Sequence, residues 1–318
     1  MSTNMEKSLI VMSAPSVNDN YYASKLIDII DYMCNFANEV IGKDDVAILV
    51  DAQTRSLFEG KVPSNILLQA NINDIWIRDF APVLPSKQIK FKFSPSYHRK
   101  QTSRQIDNSF ENWFRENGLD YQSKSNIILD GGNVVDNAGG TRVIITDRIL
   151  QDNPTLTKSI AKEQLKELLG VNEVAIIREP PDDTTGHADG LVTWPMDNKI
   201  ILLKSNGSIH REIVRELKES FPGVEIIEIA DHIPNTRWRD YSSAQNCFVN
   251  CLVTDQYIYM PTFNDIYDTE MLQLFQLHTN KTVVPIRTEM VAMMGGSVRC
   301  LTWQIKGTNL NKLLPMRK

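Results

Sequence analysis

The chain has 318 residues, of which 42% are hydrophobic and 23% are charged, and its formal net charge is −5. This balance is typical of a folded globular protein and excludes a disordered or collagen-like chain. The negative charge argues against a nucleic-acid-binding protein, and the lack of any run of about 20 apolar residues argues against a membrane protein. The apolar stretch near the N-terminus is too short for a signal peptide, so a cytoplasmic location is expected.

Five segments with apolar residues at three- and four-residue steps predict helices. In chain order they are Tyr21–Gly42, Arg104–Gly118, Thr157–Gly170, Ser208–Ser220 and Asp265–His278, and each is followed by a short buried strand. Further strands are predicted at Ile75–Leu84, Ile89–Phe93, Val143–Thr146, Leu191–Trp194, Ile200–Leu203, Phe248–Val253, Tyr257–Met260 and Val298–Ile305. Because no linker divides this repeating order, we expect one domain over residues 1–318, with an α/β fold and a radial or solenoid arrangement.

Three polar segments stand near predicted strand ends. In the first, residues 74–79, strand alternation would place Trp76 and Arg78 on one face and Asp79 on the other. A carboxylate on an apolar face needs a cation or hydrogen-bond donors, which a structural salt bridge would also supply. The second segment, residues 129–133, contains Asp130 before two glycines and is also a turn sequence. In the third, residues 186–190, His187 and Asp189 would project in the same direction, as an acid–base group and a carboxylate of one pocket would.

The four cysteines differ in context. Cys34 lies on the apolar side of the first predicted helix, and Cys247 and Cys251 lack the further soft ligands that a zinc site would need. Cys300 follows Met294-Gly-Gly-Ser-Val-Arg, where a flexible turn would expose a thiol to a ligand. This context makes Cys300 a candidate nucleophile.

Five ordered motifs resemble the agmatine deiminase and bacterial-type peptidylarginine deiminase family. They are Asp-x-Trp-x-Arg-Asp at 74–79, Leu-Asp-Gly-Gly-Asn at 129–133, Gly-His-x-Asp at 186–189, Phe-Val-Asn at 248–250 with Pro-Thr-Phe-Asn-Asp at 261–265, and Gly-Gly-Ser-Val-x-Cys at 295–300. The resemblance spans nearly the whole chain. It implies the pentein fold, a five-bladed pseudo-symmetric ββαβ propeller, and a guanidino-modifying hydrolase of polyamine metabolism, in the pathway to putrescine.

The resemblance also implies roles for individual residues. Cys300 matches the nucleophile, His187 the general acid/base and Asp130 the acidic residue beside it. Asp79 and Asp189 match the carboxylates that bind the guanidinium, while Trp76 and Asn250 are the other expected substrate contacts. The chain departs from the family pattern at Ala81, where Gly is usual, at Arg299, where His is common, and at Asp130, where many relatives have Glu.

These residues suit the hydrolysis of agmatine to N-carbamoylputrescine and ammonia. Two carboxylates would fix the guanidinium plane, a thiolate would attack its carbon, and a histidine would protonate the departing ammonia. A covalent thiouronium would then be hydrolysed without any cofactor or metal. The expected partner is a small cationic guanidino compound, not a nucleic acid or a membrane, and homo-oligomerisation is left open.

Several alternatives remain open at this point. The same residues would serve deimination of free or peptidyl arginine, or transfer of the amidino group to an amine. A non-catalytic guanidine-binding protein is a further alternative. A non-haem iron enzyme would need His187 and Asp189 to meet a third ligand, His210, His232 or His278.

Overall fold

Strands and helices alternate along residues 7–179, 183–205 and 207–317, the residues that the computed structural model describes. The strands are β1 (Leu9–Ser13), β2 (Asp45–Val50), β3 (Leu67–Gln69), β4 (Ile89–Lys92), β5 (Ser123–Ile128), β6 (Val135–Asp136), β7 (Arg142–Thr146), β8 (Glu173–Ile177), β9 (Val192–Met196), β10 (Lys199–Leu203), β11 (Glu225–Ile229), β12 (Arg237–Trp238), β13 (Tyr241–Ser242), β14 (Leu252–Val253), β15 (Tyr257–Thr262), β16 (Thr282–Arg287) and β17 (Trp303–Ile305). The α-helices are α1 (Leu26–Val40), α2 (Ile77–Phe80), α3 (Lys100–Glu116), α4 (Arg148–Asp152), α5 (Lys158–Leu169), α6 (Gly207–Ser220), α7 (Asp268–His278), α8 (Glu289–Ala292) and α9 (Thr308–Leu313).

One pairing pattern recurs in five small sheets. A central strand pairs antiparallel with one neighbour and, after a helical crossover, parallel with the other: β1 with β17 and β2, β7 with β6 and β8, β10 with β9 and β11, and β15 with β14 and β16. In the fifth sheet β4 pairs parallel with β5, and its antiparallel side is reduced to a bridge between Ile89 and Val83. The predicted α/β class is therefore confirmed, while the arrangement of these sheets as propeller blades stays a prediction.

The long helices form where the sequence predicted them, because their apolar residues share one face. In α3 the buried residues Ile106, Phe110, Trp113 and Phe114 recur at helical spacing and join one core cluster with Trp303. In α5 the Thr157 side chain accepts a hydrogen bond from the backbone of Ile160, and Gly170 ends the helix in the left-handed conformation.

Three predicted strands are wrong in whole or in part. Residues 75–84 contain α2 instead of a strand, residues 248–253 are extended only as β14, and residues 298–305 only as β17. The apolar spacing explains two of these errors. Ile77, Phe80 and Ala81 enter one core cluster, and Val298 and Leu301 enter another, so both segments bury residues three apart, as a helical turn does.

Each of the five sheets is preceded by one polar segment. Residues 74–79 come before β4, 130–133 before β6, 187–190 before β9, 247–250 before β14, and 297–300 before β17. All of the candidate site residues lie in these segments. Because each polar segment occupies the same position relative to its sheet, all five sheets can contribute side chains to one site.

No helix of the described residues is both long and apolar enough to cross a membrane.

Candidate active site

All but one of the sequence-predicted site residues line one cavity of about 630 Å³. They are Trp76, Asp79, His187, Asp189, Asn250 and Cys300, and Asp130 lies directly behind His187. The volume is in the usual range for a small-molecule site. Five aspartates line the cavity (Asp74, Asp79, Asp183, Asp189 and Asp231), whereas its lysine and arginine lining is Lys204 and Arg237. Among the described residues the lining therefore favours a cationic ligand.

The Cys300 thiol lies almost buried between an amide and a carboxylate. Asn250 Nδ2 donates a hydrogen bond to Cys300 Sγ at 3.2 Å, and Asp189 Oδ2 lies 3.8 Å from the same sulfur. Burial raises the pKa of this thiol well above its ordinary value, and the negative charges of Asp189 and Asp79 raise it further. Before a substrate binds, Cys300 is therefore protonated at neutral pH.

Asn250 holds the turn that carries the nucleophile candidate. Its side-chain oxygen accepts hydrogen bonds from the backbone N–H groups of Arg299 at 3.2 Å and Cys300 at 3.4 Å, while Nδ2 also donates to the carbonyl of Asp189 at 3.2 Å. These contacts use every polar atom of the buried amide. Asn250 thus joins the turn before β17 to the turn before β9.

His187 lies between two carboxylates. Its Nε2 donates to Asp130 Oδ2 at 3.1 Å, and its Nδ1 lies 3.7 Å from Asp79 Oδ1. Asp79 Oδ1 and Asp130 Oδ1 are buried, and neither has a hydrogen-bond partner among the described residues. Buried carboxylate oxygens without donors are costly, so Asp79, which lines the cavity, favours a ligand that donates hydrogen bonds.

The charges of this array depend on one another. Burial alone would lower the pKa of His187, but Asp79, together with Asp130 and Asp189, raises it to about 10. Burial raises the pKa of Asp79 to about 8, with Asp130 and Asp189 adding to the rise and His187 opposing it. The imidazole therefore holds a proton at neutral pH, and Asp79 gains its charge when a cation arrives.

Asp189 is held from behind by Arg299. Arg299 Nη1 donates to Asp189 Oδ2 at 3.0 Å, its Nη2 donates to the carbonyl of Val134 at 2.5 Å, and Asp136 lies 3.8 Å away. Arg299 lies in a turn and does not line the cavity. The contacts of Asp189 with Arg299 and Cys300 are made by Oδ2, which leaves Oδ1 as the oxygen for a ligand.

Two glycines allow these side chains to approach one another. A Cβ at Gly132 would lie 2.5 Å from His187 Nδ1 and 2.6 Å from Asp79 Oδ1. A Cβ at Gly296 would meet the Trp76 ring, which lines the cavity beside the nucleophile turn. The glycines of the second and fifth motifs are therefore required by space.

Sequence reasoning missed Tyr97 and Asp74. The Tyr97 hydroxyl donates to Asp130 Oδ2 at 2.6 Å from the loop between β4 and α3, where no motif marks it. Asp74 lines the cavity and accepts hydrogen bonds from the Tyr22 hydroxyl at 2.6 Å and the backbone of Ile75 at 2.7 Å. Asp74 stands in a motif, but the sequence did not distinguish it from its neighbours.

The three histidines of the iron alternative have other partners. His210 pairs with Glu228 at 2.8 Å, His278 lies 3.8 Å from Glu225, and the His232 ring stacks on Tyr267. No group of three or more His, Cys, Asp or Glu side chains suited to a metal occurs in the described ranges. The side chains needed for a facial triad around His187 are thus not brought together.

The chain is similar to known proteins over most of its length. A model of the Porphyromonas-type peptidyl-arginine deiminase family matches residues 3–305. An agmatine deiminase of Medicago truncatula is 23% identical over 301 residues, which cover 77% of this chain and 79% of the relative.

Solved structures share the fold. An agmatine deiminase of C. jejuni has a TM-score of 0.79 and 21% identity, with coverage of 95% of this chain and 94% of that one. DDAH of Pseudomonas aeruginosa has a TM-score of 0.57 and 14% identity, covering 95% and 100% of the two chains.

Proposed function

Because the chain belongs to the Porphyromonas-type peptidyl-arginine deiminase family, we propose that it hydrolyses the guanidino group of agmatine with Cys300 as the nucleophile. Guanidino deimination, the cleavage of a carbon–nitrogen bond in a linear amidine, is the reaction class of the family. One observation carries the assignment to this cavity: a thiol, a protonated imidazole and two carboxylates face the same space. The relatives named as agmatine deiminases support agmatine as the substrate.

Substrate binding begins with charge. The planar guanidinium donates hydrogen bonds to Asp79 and to the available oxygen of Asp189, and these charge-assisted bonds fix its plane. Binding of the cation also lowers the pKa of Asp79. This carboxyl therefore loses the proton that it holds before the substrate binds.

The bound cation then activates the nucleophile. A positive charge close to Cys300 Sγ offsets the burial and the two carboxylates that keep the thiol protonated. The thiol proton passes to Asp189 Oδ2, which lies 3.8 Å from the sulfur. The sulfur forms a bond to the guanidinium carbon, which becomes tetrahedral.

His187 completes both halves of the reaction. Its proton moves to a terminal nitrogen, and the carbon–nitrogen bond breaks to release ammonia and leave a thiouronium on Cys300. The neutral imidazole then takes a proton from water, whose oxygen attacks the thiouronium carbon. The carbon–sulfur bond breaks, and the leaving thiolate takes back the proton held by Asp189. The added hydroxyl group loses its proton, which leaves with ammonia as ammonium, and the product carries a ureido group in place of the guanidino group. Asp130 orients the imidazole through Nε2, and Tyr97 orients Asp130.

Two cysteines that line the cavity allow a matched test of the nucleophile. Cys300→Ala should abolish ammonia release from agmatine, a loss of about 10³-fold or more, because the covalent step needs the sulfur. Cys247→Ala should keep most of the activity, since the Cys247 thiol donates to the carbonyl of Gly190 at 3.5 Å. A haloacetamidine should alkylate Cys300, and alkylation mainly of Cys247 would overturn the assignment.

The second candidate substrate is an arginine derivative, and Arg237 is the observation that favours it. Arg237 lines the cavity, whereas the Arg239 guanidinium lies over the rings of Tyr21 and Trp238 at 4.2 and 4.9 Å. A substrate α-carboxylate would need such a cation to offset its desolvation. The excess of aspartates in the lining still favours a substrate that has no carboxylate.

A comparison of kcat/KM for agmatine, free arginine, methylated arginine and an arginyl peptide separates these substrates. Agmatine should exceed arginine by at least about a hundredfold, which corresponds to about 2.7 kcal/mol. If arginine were equal or better, and Arg237→Ala removed that advantage while Arg239→Ala did not, the substrate would be arginine and the deiminase chemistry would stand.

A further inference from the structure

A second cavity of about 150 Å³ lies behind the active-site wall. Three segments place consecutive residues on the two sides of this wall. Asp79, Asn250 and Cys300 line the front cavity, and their chain neighbours Arg78, Cys251 and Arg299 line the rear one. The rear cavity is far larger than the roughly 10–15 Å³ that one water requires. Ser86 and Gly139 at its edge are exposed, so a solute can enter from solvent.

The rear cavity is cationic. Its positively charged lining residues are Arg78, Lys87, Arg299 and Lys306, and its negatively charged ones are Asp136 and Asp255. Most of these charges have partners. Arg299 pairs with Asp189, Lys306 pairs with Asp255 at 2.5 Å, and Lys87 donates to the carbonyls of Leu169 and Gly170 at the end of α5.

Arg78 is the exception. Its side chain is 94% buried, and its Nε donates to the carbonyl of Arg299 at 3.3 Å. Its two terminal nitrogens have no hydrogen-bond or ion-pair partner among the described residues. A guanidinium keeps its charge in proteins, and buried donors without acceptors are unfavourable. Burial lowers the pKa of Arg78 to about 9, with repulsion from Arg299 adding to the effect and the negative charges of Asp136 and Asp189 opposing it.

We propose that the rear cavity binds a small oxyanion, such as inorganic phosphate, on the terminal nitrogens of Arg78. The planar fork of a guanidinium matches two oxygens of such an anion. Lys306 adds a second positive charge to the lining. The reaction proposed for the front cavity gives the side chains of Arg78 and Lys306 no role, although Arg299, which also lines the rear cavity, holds Asp189.

Calorimetric titration of inorganic phosphate into the full chain, at constant ionic strength, tests the site. One saturable binding event is expected, and sulfate should compete with it. Arg78→Met should weaken binding about tenfold or more, because a charge-assisted contact is lost. Arg78→Met also removes the hydrogen bond from Arg78 Nε to the carbonyl of Arg299 at 3.3 Å, next to Cys300, so this variant needs a companion that leaves the fold intact.

Lys306→Gln is that companion, and Lys312→Gln is its control. Both lysines pair with an aspartate at 2.5 Å, but only Lys306 lines the rear cavity. Phosphate affinity should fall several-fold in Lys306→Gln and stay unchanged in Lys312→Gln. Lys204→Gln reports on the front cavity, so loss of phosphate binding in that variant would overturn the proposal. Absence of saturable binding by phosphate and sulfate would also overturn it.

Discussion

The protonation states of Asp79 and His187 are coupled, because His187 Nδ1 and Asp79 Oδ1 are both buried and lie only 3.7 Å apart. The imidazole stabilises the charge of Asp79, and Asp79 is the strongest stabiliser of the imidazolium. The two pKa values therefore belong to the pair as much as to either residue. Any ligand that brings a positive charge to Asp79 also makes His187 a stronger acid.

The pH dependence of kcat/KM should reflect this pair. Below about pH 8 the Asp79 carboxyl of the free protein is mostly protonated and cannot form an ion pair with the guanidinium, so kcat/KM rises as pH approaches 8. Above about pH 10 His187 loses the proton that the leaving ammonia needs, so kcat/KM falls again. A steady-state ammonia assay across this range measures both limbs.

Asp79→Asn tests whether Asp79 contributes to the acidic limb. The amide keeps the shape but loses a charge-assisted acceptor, so kcat/KM should fall by about tenfold or more, and the rise toward pH 8 should weaken. Thermal unfolding should show that this variant is folded. A wild-type profile that is flat through pH 8, or an unaltered profile in the variant, would show that this carboxyl is not the titrating group.

At the scale of single elements, the turn at 131–133 offers a paired prediction. A Cβ at Gly131 would clash with the carbonyl oxygen of Arg78, which is backbone, whereas the atoms nearest to a Cβ at Gly132 belong to the side chains of His187 and Asp79. Gly131→Ala should therefore lower the free energy of unfolding by about 1–3 kcal/mol through overpacking. Gly132→Ala should lower kcat by about a hundredfold, because displaced side chains lose their geometry.

Chemical denaturation and kcat, measured on both variants, distinguish the two glycines. If Gly132→Ala retained full activity, the close approach of His187 and Asp79 would be unnecessary for turnover. If Gly131→Ala were as stable as the parent, the backbone around α2 would be free to move aside.

Elements with a single solvent-facing side could be predicted from the sequence, and buried connecting segments could not. The helices around Phe110 and Leu165 show their apolar face directly in the spacing of residues. Short turns such as α2 are buried on most sides, so the spacing of apolar residues around Ile77 is also compatible with a strand. The family resemblance, which the family match confirms, predicts roles for Cys300 and His187. Tyr97 contacts Asp130 from another loop, and residue spacing does not reveal such a contact.

For the molecule as a whole, β17 is the strand whose loss should matter most to stability. Trp303 is fully buried, and its Nε1 donates to Gln88 at 3.1 Å. Trp303→Ala should lower the free energy of unfolding by about 3–5 kcal/mol, because it leaves a large cavity and an unpaired amide. Met316→Ala, at an exposed position further along the chain, should change it by less than about 0.5 kcal/mol. Denaturant titrations of the two variants provide the measurement, and equal midpoints would contradict a structural role for β17.

The pairing of β1 with β17 also sets a constraint during translation. Ser8 and Gln304, which hydrogen-bond beside this pairing, are 296 positions apart, so at about 5–20 residues per second the ribosome needs roughly 15–60 s to deliver the partner. Until then Leu9–Ser13, buried throughout in the folded protein, is an apolar strand with an open edge, and such edges recruit other chains. Soluble yield should therefore rise when a chaperone shields the nascent N-terminal segment.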